Sequence, residues 1–160
     1  MTAQVSDHEL IRNVIALFIF AVDTQNWNDF DSVFTEDAFA DYTFVPNGKG
    51  QRRGPKEIAA LISRGIKDTT CFHCLGTQRI VLTGPNTAEA TTYVSLIHAG
   101  TKDHRYPGER YYGSGCYKDK LIKGVFDGKE DWRIYERKVV EVLPPSGKVN
   151  LLDTKQEDSE

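Results

Sequence analysis

Three residues have side chains suited to acid–base chemistry, and each stands at a defined place in the chain. Asp23 follows the apolar run VIALFIFAV, where an unpaired carboxylate has a raised pKa or needs a partner. His73 begins one strand-like segment and His98 ends the next. If those two strands pair, both imidazoles can point into one cavity. The structural alternatives are that Asp23 starts a turn in water and that the histidines serve as hydrogen-bonding residues of the sheet.

Tyr112 and Ser114 lie in the segment RYYGSGCYKD, which alternates like a strand. Alternation places these two residues on one face together with Arg110 and Cys116. Their hydroxyls could line a pocket, although tyrosines also favour strands for their packing alone. His104, in a polar connection, and His8, near the N-terminus, are interpreted as surface residues.

Arg137 is the basic residue considered for binding a substrate. It could bind an anionic group or an enolate oxygen, or it could form an ion pair with Glu136 or Glu141 on the sheet surface. Strict alternation puts it on the same face as Arg133, Tyr135 and Val139.

Cys71 and Cys74 form a C-x-x-C pattern around His73. Redox pairs of this kind usually cap a helix, and a structural zinc site needs four ligands. Here the segment reads as a strand, which sends the two sulfurs to opposite faces. We therefore predict no metal site.

Composition indicates one globular domain. Across 160 residues the net charge is −3 and the basic residues are scattered, which argues against nucleic acid as a partner. No segment reaches the length of a membrane span, no signal peptide is recognised, and the cysteine count is odd, so we expect a cytoplasmic protein. Residues 1–145 form the predicted domain. Residues 146–160 are a polar, flexible tail in which Leu151 and Leu152 are the candidates for docking.

Helical signals come first and strand signals follow. Ser6 and Glu9 form a capping box at the start of the first helix, a short second helix surrounds Phe30, and Pro55 opens the third. AFADYTF is a strand with Tyr42 on one face and Asp41 on the other, and PNGKGQRRG is a turn. The remaining predicted strands are 73–83, 87–99, 110–123 and 132–143. This order predicts an α+β fold: a curved antiparallel sheet that, with the N-terminal helices, forms a cone-shaped barrel with an internal pocket.

The series FAVDTQNWNDFDSVFTEDAFADY, RGPKEI, HCLGTQRI, AEATTYVSLIH, YYGSGCYKDKL and DWRIYERKV resembles the SnoaL-like branch of the nuclear-transport-factor-2-like superfamily, over roughly residues 6 to 143. The scytalone dehydratase group is the most similar. The resemblance implies that Asp23, Tyr42, His73 and His98 are catalytic, with Asp23 and His73 as a base dyad. Val22, a candidate substrate-binding residue, stands where that group has a tyrosine, which argues against scytalone itself as the substrate.

The resemblance implies a lyase or isomerase without a cofactor, acting on a small hydrophobic carbonyl metabolite such as a polyketide or terpenoid intermediate. It also implies a homodimer or homotrimer. One alternative is a non-catalytic ligand carrier or subunit, like the small subunits of aromatic-ring dioxygenases. A third is an epoxide hydrolase that uses Asp23, Arg137 and a further aspartate around a water.

Overall fold

The computed structural model describes residues 5–45 and 48–152. Its first helix begins where the capping signal predicts, because the Ser6 hydroxyl accepts from the Glu9 backbone N–H and the Glu9 carboxylate accepts from the Ser6 backbone N–H. This helix is not buried on every side as its apolar end suggests, since Phe20 is 66% exposed. A single 3-10 turn, Trp27–Asp29, leads into the second helix. The helices are α1 Asp7–Asp23, α2 Phe30–Val33 and α3 Pro55–Gly65.

Within residues 5–45 and 48–152, six strands form one sheet, in the order β2-β1-β6-β5-β4-β3. Every neighbouring pair is antiparallel except β1 and β6, which run parallel. The sheet is curved but does not close into a barrel, because β2 and β3 remain its edges. The strands are β1 Phe34–Tyr42, β2 Gln51–Arg53, β3 Thr69–Gly84, β4 Thr87–Gly100, β5 Arg110–Phe126 and β6 Lys129–Gly147.

Several of these strands differ from the sequence prediction: β1 begins at Phe34, before AFADYTF, and β6 extends beyond 132–143 at both ends. The predicted turn after β1 contains β2, which pairs with β1 from Phe39 opposite Arg53 to Asp41 opposite Gln51. Three residues with two adjacent arginines carry no alternating apolar signal, so only the pairing reveals them. The strand holding His73 begins four residues earlier than predicted, at Thr69.

A β-bulge near the middle of β6 decides which way Arg137 points. Leu121 pairs with Ile134, but Lys120 pairs with Glu136, so Tyr135 is an extra residue on β6. The extra residue reverses the alternation. Arg137 is consequently buried on the same side as Ile134, and the prediction that it shares a face with Tyr135 is wrong.

The helices cover one face of the sheet, with α1 packed against β3 and β6. The core between them is largely aliphatic and aromatic, and Phe18 contacts the rings of Phe30, Phe34 and Tyr117. No helix in the described ranges is long and apolar enough to cross a membrane.

The segment after β6 folds back onto the β4–β5 connection. Leu151 is buried, and its carbonyl accepts from His104 Nε2 at 3.2 Å, while the Asn150 carbonyl accepts from Arg105 at 2.8 Å. His104 Nδ1 accepts from the Tyr106 backbone N–H at 3.0 Å. His104 is thus half-buried and binds the segment after β6 through the Leu151 carbonyl, contrary to its interpretation as a surface residue. The rest of the predicted flexible tail, 153–160, lies outside the described residues.

Candidate active site

A cavity of about 230 Å³ lies between the helices and the covered face of the sheet. Its wall is mainly apolar. Helix α1 supplies Phe18 and Val22, α3 supplies Leu61 and Ile62, and residues of β3 to β6 close the other side. Polar side chains are few, and they include four of the predicted site residues: Tyr42, His73, His98 and Ser114. A small apolar space with a few polar groups is typical of a site for a hydrophobic metabolite.

Asp23, the last residue of α1, contacts His73 on β3 in two ways. Its Oδ1 lies 2.6 Å from His73 Nδ1, and its Oδ2 accepts from the His73 backbone N–H at 3.0 Å. A carboxylate can only accept, so His73 carries a proton on Nδ1, and in the neutral ring Nε2 is the acceptor. The His73 side chain is only 7% exposed. The aspartate therefore orients the ring and anchors the strand that carries it.

His98 lies beside His73 on the neighbouring strand. The two rings meet edge to face with centroids 5.3 Å apart, and His98 Nδ1 lies 3.1 Å from Cys71 Sγ. His98 is 3% exposed. Burial, with the nearby His73 as a lesser cause, lowers the pKa of His98 to about 3, so this ring is neutral at neutral pH. The two histidines share a cavity, but only His73 has a carboxylate partner.

Tyr42 points into the cavity from β1, as its predicted face requires. Its hydroxyl is buried and has no hydrogen-bond partner within the described chain. Burial raises the pKa of Tyr42, so the phenol stays protonated and can donate. A buried donor without a partner is costly, and a ligand oxygen would satisfy it.

Arg137 lies on the same sheet face as Val139 but does not line the cavity. It forms a two-point ion pair with Asp119 on β5, at 2.7 Å from Nε and 2.8 Å from Nη2, and both side chains are 0% exposed. The alternative of a surface pair with Glu136 or Glu141 is therefore wrong. Burial opposes the charge of Arg137, but Asp119 outweighs it and raises the pKa of the guanidinium. Arg137 Nη1 is a second buried donor without a partner among the described residues.

The pocket face of β5 is the opposite of the predicted one for Tyr112. Tyr112 is 40% exposed and does not line the cavity, whereas Tyr111, Gly113, Gly115 and Tyr117 do. Ser114 reaches the wall next to a register shift, where its hydroxyl accepts from the Leu143 backbone N–H at 3.2 Å. The predicted cavity position is therefore wrong for Tyr112, whereas Ser114 does line the wall because the register shifts interrupt the alternation there.

Sequence reasoning missed several residues around the site. Glu141 and Tyr111 line the cavity wall, and Leu152 joins it from the C-terminal segment. The C-x-x-C pattern suggests only a redox or metal role for Cys71. The structure instead places Cys71 against His98, while Cys74 is exposed. Across residues 5–45 and 48–152, no group of three His, Cys, Asp or Glu side chains is arranged to hold a metal ion.

The chain matches the model of a protein family. A family model described as a SnoaL-like domain matches residues 3–138, and the chain belongs to this family. A search of curated proteins found no significant match.

Solved structures of the same fold cover nearly the whole chain. A proposed aromatic ring hydroxylase from Novosphingobium aromaticivorans is 21% identical, with a TM-score of 0.72 and coverage of 94% of this chain and 99% of that one. A proposed scytalone dehydratase from the same organism is 19% identical, with a TM-score of 0.67 and coverage of 87% and 85%. The hexachlorocyclohexane dehydrochlorinase LinA-type3 from Novosphingobium barchaimii is 13% identical, with a TM-score of 0.68 and coverage of 88% and 88%. At these identities the likeness shows the fold.

Proposed function

We propose that this protein is a cofactor-independent lyase or isomerase that removes a proton next to a carbonyl group of a small hydrophobic metabolite. The observation that carries the proposal is the Asp23–His73 pair, a carboxylate 2.6 Å from an imidazole that lines an apolar cavity. Two structures of the same fold bear the names of a dehydratase and a dehydrochlorinase, and this supports an elimination or a related reaction.

His73 acts as the base in this proposal. Its Nε2 takes a proton from the carbon beside the carbonyl, and Asp23 stabilises the imidazolium that forms. Tyr42 donates to the carbonyl oxygen, on which negative charge develops. In a dehydration, the enolate expels a hydroxyl group from the next carbon, and the proton held by His73 completes the water that leaves. In an isomerisation, the same proton returns to a different carbon.

The cavity limits the size and polarity of the substrate. The volume of about 230 Å³ lies below the roughly 300–1,000 Å³ that is usual for sites of drug-sized ligands, which favours a small molecule of one or two rings. The apolar wall favours a ring system over a charged chain. A polyketide or terpenoid intermediate with a carbonyl and a neighbouring hydroxyl fits this description.

Hydrogen–deuterium exchange tests the proposal on any ketone that the cavity admits. A panel of one- and two-ring ketones, with and without a hydroxyl on the carbon β to the carbonyl, is incubated with the protein in D₂O. Mass spectrometry follows the products. We expect deuterium uptake or loss of water with the natural sequence. The Asp23→Asn and His73→Gln variants should lose both while their circular dichroism stays unchanged. A His73→Gln variant as fast as the natural protein would refute the dyad.

The non-catalytic alternative has a separate outcome in the same experiment. Ligands that raise the melting temperature of the protein but show neither exchange nor turnover would support a carrier or a subunit. The epoxide hydrolase alternative needs Asp23 and Arg137 to bind a water molecule. Asp119 instead accepts from both Nε and Nη2 of Arg137, and Asp23 binds His73, so the structure does not support this alternative.

We also propose that the chain forms a homodimer or homotrimer. The supporting observation is a set of exposed aromatic side chains on the sheet face away from the helices, Phe72, Tyr93 and Tyr112. Sedimentation of the purified chain tests this, and a monomer across the concentration range would contradict it.

A further inference from the structure

Cys71 is a buried group that the proposed mechanism does not use. It pairs directly with His98 across β3 and β4, so the two side chains stand on one face of the sheet. Its Sγ lies 3.1 Å from His98 Nδ1 and 3.6 Å from Thr69 Oγ1. The thiol is 8% exposed, and burial raises its pKa to about 11, so it keeps its proton.

Thr69 sets the direction of the hydrogen bonds that link it to Cys71 and Cys71 to His98. Thr69 Oγ1 lies 2.7 Å from the Ile66 carbonyl, which can only accept, so the single hydroxyl proton of Thr69 is donated there. Toward Cys71, Thr69 can then only accept, and the thiol proton points to Thr69. Cys71 Sγ in turn accepts from His98, which places the imidazole proton on Nδ1. If the thiol instead donated to His98, no proton would lie between Thr69 and Cys71, and this hydrogen bond would be lost.

We propose that Cys71 is a positioning residue that holds His98 in the Nδ1–H tautomer, so that His98 Nε2 accepts a hydrogen bond from a hydroxyl group of the ligand. The tautomer follows from the hydrogen bonds of a protonated thiol, whereas its consequence for the ligand rests on the proposed function. A ring without a proton on Nε2 cannot polarise a carbonyl or protonate a leaving group, so His98 serves as an acceptor only.

The two histidines then have the same tautomer and different roles. The Asp23 carboxylate stabilises a positive His73, so that ring can take a proton from carbon. A neutral thiol offers His98 no such stabilisation, and this ring stays a neutral acceptor. A substrate that presents a carbonyl to Tyr42 and a hydroxyl to His98 satisfies both groups.

Imidazole nitrogen chemical shifts report the tautomer directly and require no turnover. The ¹⁵N-labelled protein is examined by long-range proton–nitrogen correlation at neutral pH, and His98→Gln identifies the His98 signals. We expect a protonated Nδ1 in the natural sequence and in Cys71→Ser, which keeps a donor and an acceptor at this position. In Thr69→Val the thiol loses its acceptor and donates to His98, so the proton should move to Nε2.

Two results would overturn the tautomer assignment: a proton on Nε2 in the natural sequence, or the same spectrum in Thr69→Val and Cys71→Ala as in the natural protein. Unfolding midpoints of the variants show whether each is folded. The ligand consequence is tested by titration with 1-tetralone and a hydroxylated 1-tetralone. The natural protein should prefer the hydroxylated compound about 2- to 10-fold, as expected for one hydrogen bond, and should show no such preference for its methyl ether, which can accept but cannot donate. In Thr69→Val the methyl ether should gain affinity, because Nε2 then carries the proton and can donate to the ether oxygen. Equal affinities in the natural protein would overturn the hydroxyl assignment even if the tautomer is as expected.

Discussion

Asp23 binds both the ring and the backbone of His73, at 2.6 Å and 3.0 Å. One carboxylate therefore couples the end of α1 to the start of β3 and sets the orientation of the imidazole at the same time. The residues are 50 positions apart in the chain, so this contact is a product of the fold.

Replacing Asp23 by Asn should reduce activity about 10²- to 10⁴-fold. An amide has only one oxygen, so either the ring N–H or the backbone N–H of His73 faces an NH₂ group. Turnover by the panel assay measures the loss. Asp41→Asn is the matched control, because Asp41 belongs to the same acidic stretch but contacts Gln51 at the sheet edge. Equal losses in both variants would show that the effect is not specific to the dyad.

Removing one partner of the buried Arg137–Asp119 pair should destabilise the fold strongly. Asp119→Ala leaves a guanidinium with 0% exposure and no carboxylate, at an expected cost of about 3–5 kcal/mol in the free energy of unfolding. Urea denaturation measures it. The double variant Asp119→Leu/Arg137→Met removes both charges and should recover most of the stability. A single variant within about 1 kcal/mol of the natural protein would contradict the prediction.

Acid should weaken the fold through His98. In the unfolded chain His98 titrates near its ordinary pKa of 6.5, but in the folded protein burial lowers this pKa to about 3. Between these values the unfolded state binds the proton and the folded state does not, so stability falls as the pH drops from 6.5 toward 3. The slope is up to about 1.4 kcal/mol per pH unit for one such group.

The His98 contribution is isolated by comparison with His98→Gln. The free energy of unfolding of this variant should change less steeply over the same pH range, whereas a His8→Gln control on the exposed face of α1 should follow the natural protein. Parallel curves for His98→Gln and the natural sequence would mean that His98 is not held neutral by the fold.

A methyl group at Gly115 should narrow the cavity. Gly115 lines the cavity, and a Cβ there would meet Val94 Cγ1 at 3.3 Å, so Gly115→Ala is tolerated only with a small shift of the wall. We expect affinity for a two-ring ketone to fall about tenfold and affinity for a one-ring ketone to change little. Gly124→Ala, on the same strand away from the cavity, is the control for calorimetric titration. A uniform loss for both ligand sizes would indicate general disruption.

Local signals in the sequence were sufficient for the helices and for the four long strands. The Ser6–Glu9 capping box, Pro55 and the alternating segments depend on neighbours a few residues apart, and the structure has the corresponding helices and four long strands. The family resemblance singled out Asp23 and His73, which the fold brings into contact. Alternation also placed Tyr42 on the cavity side of its strand.

The environments of Arg137 and Tyr112 depended on how their strands pair, and the sequence of a single strand does not specify that register. Without the extra residue Tyr135, the hairpin that pairs Leu121 with Ile134 would set Arg137 opposite Lys118. The bulge moves it opposite Asp119 and turns it inward. Likewise, nothing in RYYGSGCYKD distinguishes the face of Tyr112 from that of Tyr111, because both carry tyrosines and which face meets the helices is settled only when the sheet packs.

The sequence by itself therefore determined the helices, the long strands, the family and a short list of acid–base residues, because those rest on local periodicity and on the order of motifs. Only the tertiary structure decided that Asp23 clamps His73, that Arg137 is enclosed with Asp119, and that Cys71 lies against His98. These are contacts between residues distant in the chain, and a shift of one position in strand register would exchange the buried and exposed faces on which they depend.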